Sequence, residues 1–224
     1  LTLKHWRPEE QPRERLLRAG AGTLSSAELL AILLRHGGRG QSAVTLACDV
    51  LAHFGGVRGV FTASRSRLCA HPGIGEVRWV ELQAAAELMR RQLAEPLVRS
   101  EGFTSPEAVR DYLNAQLRDL PHEVFCCFYL DSRHRLICFE QLFRGTIDGA
   151  SVHPREVVRQ ALEHNAAALI LAHNHPSGVA EPSHADELIT RRLRDALALV
   201  DVRLLDHLIV GDCHCVSLAE RGLL

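Results

Sequence analysis

One segment constrains this chain more than any other. Residues 166–186 read AAALILAHNHPSGVAEPSHAD. An apolar run from Ala166 to Ala172 stops at His173, a loop bearing Pro176, Gly178 and Pro182 follows, and Ser183 stands three residues before Asp186. A continuous apolar run bounded by turn residues suits a strand buried on both faces. Ser183 and Asp186 have the spacing of a capping box, which opens a helix. A buried strand, a tight return and a helix form an α/β unit, so the back of the chain is expected to build a mixed sheet with helices on its faces.

The neighbouring residues extend that expectation. Glu123 to Asp131 (EVFCCFYLD) and Arg135 to Phe143 read as two strands joined by a turn at Ser132 to His134. Pro106 to Leu117, started by Ser105, Pro154 to His164 and Ser183 to Val200 read as helices. Val202 to Val210 is a further strand, and Cys215 to Leu218 a last short one. The front of the chain has a different style. Ser25 to Arg35 has helical periodicity with Glu28 at capping distance from Ser25, and helices are expected at Ser42 to Phe54, Ser64 to Ala70 and Glu76 to Leu93, with no strand before residue 100. Pro96, Ser100 and Gly102 interrupt the pattern, which places a helical domain at 1–95 and an α/β domain at 103–224.

Charge divides the same way. Residues 1–100 carry 14 Lys and Arg against 9 Asp and Glu, residues 101–224 carry 12 against 18, and the net charge is -1. The basic front permits contact with nucleic acid without demanding it. An apolar fraction of 46% argues against disorder. The longest apolar runs hold seven residues, where a membrane-spanning helix needs about 20, so no membrane segment is expected. No charged-then-apolar segment opens the chain, and the seven cysteines are odd in number, with Cys126 and Cys127 adjacent. Reduced thiols in a cytoplasmic protein are therefore the expectation. The chain opens on Leu1, which leaves its true start open.

The chemistry concentrates at His173, His175 and Asp186. Side chains two apart on a strand point the same way, so both imidazoles can approach one ion, and the Pro/Gly-bearing loop can return Asp186 to them. Two imidazoles and a carboxylate suit Zn²⁺ and leave a fourth tetrahedral position for water, the feature that separates catalytic from structural zinc. Such a metal lowers the pKa of its water to about 7. The plainer reading of each part also stands: polar loop histidines, and a Ser183–Asp186 capping box that needs no metal.

His173-Asn174-His175-Pro176, six further residues, then Ser183 and Asp186 fit the JAMM motif of the MPN metalloprotease family. EVF at Glu123, LFRGTIDGASVHPREV from Leu142, ALILAHNHPSG from Ala168 and LLDHLIVG from Leu204 resemble the bacterial RadC (UPF0758) family over nearly the whole chain. The resemblance implies a zinc-dependent hydrolase that cleaves a peptide or isopeptide bond of a protein or peptide substrate through zinc-bound hydroxide. It implies one Zn²⁺ per chain, held by His173, His175 and Asp186. Ser183 would donate a hydrogen bond to the tetrahedral intermediate, and Glu123 would shuttle the proton, with Glu140 and Glu156 as fallback candidates.

Other groups carry two readings each. Asp206-His207 either orients a metal ligand from behind or simply packs in its strand. Cys213-His214-Cys215 lacks a second ligand pair at zinc-finger spacing, and His153-Pro154-Arg155-Glu156 starts a helix. In LCAHPGIGEVRWVEL (Leu68 to Leu82) the turn resembles a helix-hairpin-helix, which would contact DNA through Gly73, Ile74, Gly75 and Arg78. Trp79 and Glu76 depart from that pattern, and the turn can equally just join two packed helices. The front region from PRERLLRAG at Pro12 resembles the RadC N-terminal domain. The second functional class is thus a DNA-binding or repair-associated module whose MPN domain is structural or recruits partners. A metal-dependent nuclease ranks third, since one open-position zinc fits amide hydrolysis better than the paired ions common in nucleases.

Overall fold

The computed structural model describes residue 7 and residues 10–38, 40–99, 106–145, 152–212 and 214–224. The chain divides into two compact units, residues 1–89 and 90–224. The division falls inside one helix, α6, Glu76–Arg99.

The first unit is helical: α1 (Pro12–Ala19), a 3-10 turn at Ala21–Thr23, α2 (Ser26–Leu34), α3 (Ala43–Phe54), α4 (Val57–Thr62), α5 (Arg65–Cys69) and the start of α6. Ser25 caps α2 reciprocally. Glu28 N–H donates to Ser25 Oγ at 3.3 Å, and Ser25 N–H donates to Glu28 Oε2 at 2.9 Å. Ser42 caps α3 by accepting from Thr45 N–H at 3.0 Å. Leu30, Leu34, Leu46, Val50, Leu68 and Leu82 form the core; each fully buried side chain of this size contributes about 1.5–3 kcal/mol. Periodicity does not reveal α1 and α4. They have 8 and 6 residues, too few for an apolar repeat to register, and helices so short form only where packing holds them.

The helix expected at Glu76 to Leu93, α6, runs past Leu93, through Pro96, to Arg99. A proline inside a helix costs about 3 kcal/mol. Burial of Leu97, 4% exposed beside Val109, Leu113 and Leu117, offsets a cost of that size. Part of the interruption that marks a boundary in the sequence is therefore helical, and residues 100–105, with Ser105, lie outside the described residues.

The second unit holds α7 (Pro106–Leu117), β1 (Val124–Leu130), β2 (Leu136–Arg144), α8 (Pro154–Glu163), β3 (Ala168–Asn174), α9 (His184–Ala198), β4 (Arg203–Val210) and β5 (Cys215–Ser217). The strands form one mixed sheet in the order β2-β1-β3-β4-β5. β1 is antiparallel to β2 and β3, β3 is parallel to β4 through the α9 crossover, and β5 returns antiparallel to β4. On one face Cys126, Phe128 and Ile170 pack on Val109, Leu113 and Leu117 of α7. On the other, Cys127, Tyr129 and Leu171 pack on Val157 and Ala161 of α8 and Leu193 and Leu197 of α9. Both faces are covered, so β1 and β3 are buried at all 7 positions and read as unbroken apolar runs.

Cys126 and Cys127, successive on β1, face opposite layers, and the six described cysteines are all free. Burial pushes the Cys126 thiol up to about 12. Among the described residues no helix is long and apolar enough to cross a membrane.

Candidate metal centre

β3 delivers both histidines. His173 is its penultimate residue and pairs across the sheet with Phe125 of β1 and Ile209 of β4. One residue beyond the strand, His175 N–H donates to Val210 O at 2.9 Å, which keeps His175 in the strand's alternation and on the side of His173. The loop then turns sharply. Gly178, at φ +82°, donates its N–H to His175 O at 2.9 Å and accepts from Asp212 N–H at 2.8 Å. A Cβ at Gly178 would lie 2.8 Å from Asp212 Oδ2, so both its backbone angle and its surroundings require glycine.

The return places Ser183 at the N-cap of α9 and Asp186 in its first turn. The capping box and the histidine contacts coexist on one carboxylate. Ser183 N–H and Ser183 O–H both donate to Asp186 Oδ2, at 2.7 Å and 2.6 Å, and Asp186 N–H donates to Ser183 Oγ at 3.2 Å. Asp186 Oδ1 lies 3.2 Å from His173 Nε2, and Oδ2 lies 3.4 Å from His175 Nε2. The two Nε2 atoms are 3.0 Å apart. The loop thus brings together the three residues that stand separately in sequence. The side chain of His173 is 1% exposed, against 18% for His175 and 12% for Asp186, so solvent reaches the group through the latter two.

These atoms fit a cation. His175 Nδ1 faces Val179 O at 2.7 Å. A carbonyl only accepts, so Nδ1 carries a proton, and in the neutral ring Nε2 offers a lone pair. Lone pairs and a carboxylate gathered at these distances are stabilised by a positive charge among them. Tetrahedral zinc with bonds of about 2.0–2.1 Å sets its ligand atoms roughly 3.3 Å apart; here the two Nε2 atoms are 3.0 Å apart and each ring faces its own oxygen of the carboxylate, at 3.2 Å and 3.4 Å. Burial alone would raise the Asp186 carboxyl, but the adjoining His173 and His175 rings and the hydrogen bonds from Ser183 hold it far below the carboxylate range. His175 is raised, chiefly because its charged form can donate to Asp186, and the charge of Glu123 is one of the lesser contributions.

Glu123 is the residue just before β1. The antiparallel register ends at the pair Phe125–His173; continued two residues further it would set Glu123 opposite His175. The fallback candidates lie elsewhere. Glu140 on β2 is 3.1 Å from His164 and forms with it and Cys138 a separate group, and Glu156 on α8 pairs with Arg159. His153 and Arg155 flank the start of α8, where Arg155 lies 3.6 Å from Glu156. Asp206 accepts from Ser217 O–H at 2.7 Å and Ala219 N–H at 3.0 Å and so anchors the segment after β4. His207 does touch the site: its Nε2 lies 2.9 Å from His173 Nδ1. Cys213 lies outside the described residues, while His214 and Cys215 join no metal-capable group among the described ones.

Two residues of the site leave little trace in the sequence. Asn174, 1% exposed, accepts from Val124 N–H at 2.8 Å and donates to His122 O at 3.1 Å, gripping the backbone on both sides of Glu123. Thr190, fully buried, stands one helical turn after Asp186 and contacts both His207 and the Asp186 carbonyl. A hydroxyl at i+4 on the buried face of a helix is the one signal that points to Thr190.

In the first unit Gly73 has a left-handed φ of +87° and Ile74 is buried at 4% in the core. Gly75 has open space where a Cβ would stand. Arg78 donates to Gly73 O, to His36 O at 2.5 Å and to Gly37 O at 3.3 Å, and Glu76 pairs with Arg65. The arginine braces backbone carbonyls of its own unit.

A family profile described as RadC-like JAB domain matches residues 103–223, and one described as UPF0758 N-terminal matches residues 3–80. The chain is 60% identical to a UPF0758 protein of Thioalkalivibrio sulfidiphilus, 59% to one of Halorhodospira halophila and 56% to one of Nitrosococcus oceani, in each case over 100% of both chains.

Proposed function

The chain belongs to the UPF0758 family and carries a RadC-like JAB domain over residues 103–223, and from that premise we propose that its second unit is a metal-dependent hydrolase of the JAMM type that cleaves a peptide or isopeptide bond in a protein or peptide substrate. One observation carries the proposal: the Nε2 atoms of His173 and His175 lie 3.0 Å apart, and each lies within 3.4 Å of an oxygen of the Asp186 carboxylate. These three would hold one zinc ion per chain, which supplies Lewis acidity and acidifies a water to a pKa of about 7 when bound.

The remaining roles belong to the chain's own side chains. Glu123, held at the entrance to β1 by the Asn174 clip, takes a proton at its carboxylate and passes it to the leaving amine. Ser183 donates its O–H to the substrate carbonyl oxygen as negative charge develops there. In the resting arrangement that proton is given to Asp186 Oδ2, but Ser183 N–H donates to the same oxygen at 2.7 Å, so the hydroxyl can turn away without leaving the carboxylate unsupported.

The alternative, a DNA-associated module, draws on the basic excess of residues 1–100 and on the PGIG turn. The commitment of Arg78 to three carbonyls weakens it.

Metal content tests the proposal. Purified chain equilibrated with zinc should retain about one ion per chain and His173→Ala should lose it. Equal zinc content in the two proteins would reject the site.

A further inference from the structure

His173 Nδ1 points away from the site, into the sheet, and meets His207 Nε2 of β4 at 2.9 Å. His207 Nδ1 meets Thr190 Oγ1 of α9 at 2.6 Å, and Thr190 Oγ1 meets the carbonyl oxygen of Asp186 at 2.5 Å. All of His173, His207 and Thr190 are 0% exposed, so no water competes for these bonds.

Proton counting gives the row a direction. The Asp186 carbonyl can only accept, so Thr190 O–H donates to it. The hydroxyl has a single proton, so toward His207 it can only accept, and His207 Nδ1 carries a hydrogen. With its one hydrogen on Nδ1, the neutral His207 ring has a lone pair at Nε2. That lone pair accepts from His173 Nδ1–H. The His173 Nε2 that faces Asp186 and His175 is then the unprotonated one.

We propose that His207 and Thr190 are positioning residues that lock His173 in the tautomer able to ligate a cation, through a one-way row of hydrogen bonds fixed at its far end by the Asp186 carbonyl. This rests on the metal reading of the site and adds to it. Asp186 acts twice, offering its carboxylate to the cation directly and using its backbone to set the ring of a fellow ligand. The row closes on itself through two helical positions one turn apart and two neighbouring strands. Without it, a neutral histidine in water favours the other tautomer, with its hydrogen on Nε2, where it blocks ligation.

The test uses the full chain. In metal-free protein at about pH 8, where neutral imidazole dominates, ¹⁵N NMR should show His173 protonated at Nδ1 and bare at Nε2. Thr190→Val removes the hydroxyl while keeping the shape, and should weaken zinc affinity 10–100-fold in a chelator competition while mixing the His173 tautomers. Thr190→Ser keeps the hydroxyl and should restore both. Wild-type affinity with an unchanged His173 tautomer in Thr190→Val would overturn the proposal. So would an Nε2–H tautomer in the wild-type chain, a measurement that needs neither a folded variant nor bound zinc. If the wild-type chain binds no zinc, the metal reading fails and the NMR result alone still decides the row.

Discussion

Asn174 Oδ1 accepts the backbone N–H of Val124 at 2.8 Å, and the other end of the same amide donates to His122 O at 3.1 Å. The residue between the two candidate ligand histidines therefore sets the path of the chain on either side of Glu123. Asn174→Asp keeps the acceptor but turns the donor into a second acceptor, facing a carbonyl in a site 1% exposed. The expected result is a loss of about 2–3 kcal/mol of stability in denaturant unfolding at pH 7. A variant as stable as the parent would mean the clip holds nothing.

Glu123 has two separable effects. Its negative charge contributes to raising His175, so Glu123→Gln should lower the His175 pKa in an NMR titration of metal-free protein. As the proposed proton carrier it should also be needed for turnover. The same variant is expected to bind zinc as the parent does and to cut amide hydrolysis by roughly 10²–10⁴-fold. Full activity in this variant would move the proton shuttle elsewhere.

Arg78 is a brace in the first unit. Its guanidinium joins the Gly73 turn to the carbonyls of His36 and Gly37, which lie just after α2. Charged donors to carbonyls on a partly exposed side chain contribute on the order of 1–2 kcal/mol. Arg78→Ala should unfold at correspondingly lower denaturant, and Arg78→Lys should recover little, because an ammonium lacks the guanidinium's fork. Unchanged stability in the alanine variant would free this arginine for a partner such as DNA.

Glu28 gives a pH signature. Its hydrogen bonds from Ser25, assisted by Arg15 and opposed by burial, lower its pKa. A lowered carboxyl stabilises the fold above its unfolded value of about 4.3, and that stabilisation is lost as pH falls through the folded value. Glu28→Gln should therefore be less stable than the parent by about 1 kcal/mol at pH 7, with the gap closing below about pH 4. A gap that persists at pH 3 would show that shape, not charge, carries the cap.

The sequence by itself determined what is local. Unbroken apolar runs identify strands covered on both faces, as β1 and β3 are. Ser25 with Glu28 and Ser183 with Asp186 mark helix starts because capping acts over three residues. The His-x-His spacing says that two imidazoles share a side. Tertiary structure alone decided which groups meet. It set Thr190, His207 and Asn174 at the site, ran α6 through Pro96, gave Arg78 to carbonyls and drew Glu140 to His164. Periodicity records only neighbours on one strand or helix. A contact between His173 and His207, 34 residues apart, depends on which strands pair and in what register, and that is fixed only when the whole sheet closes around its core.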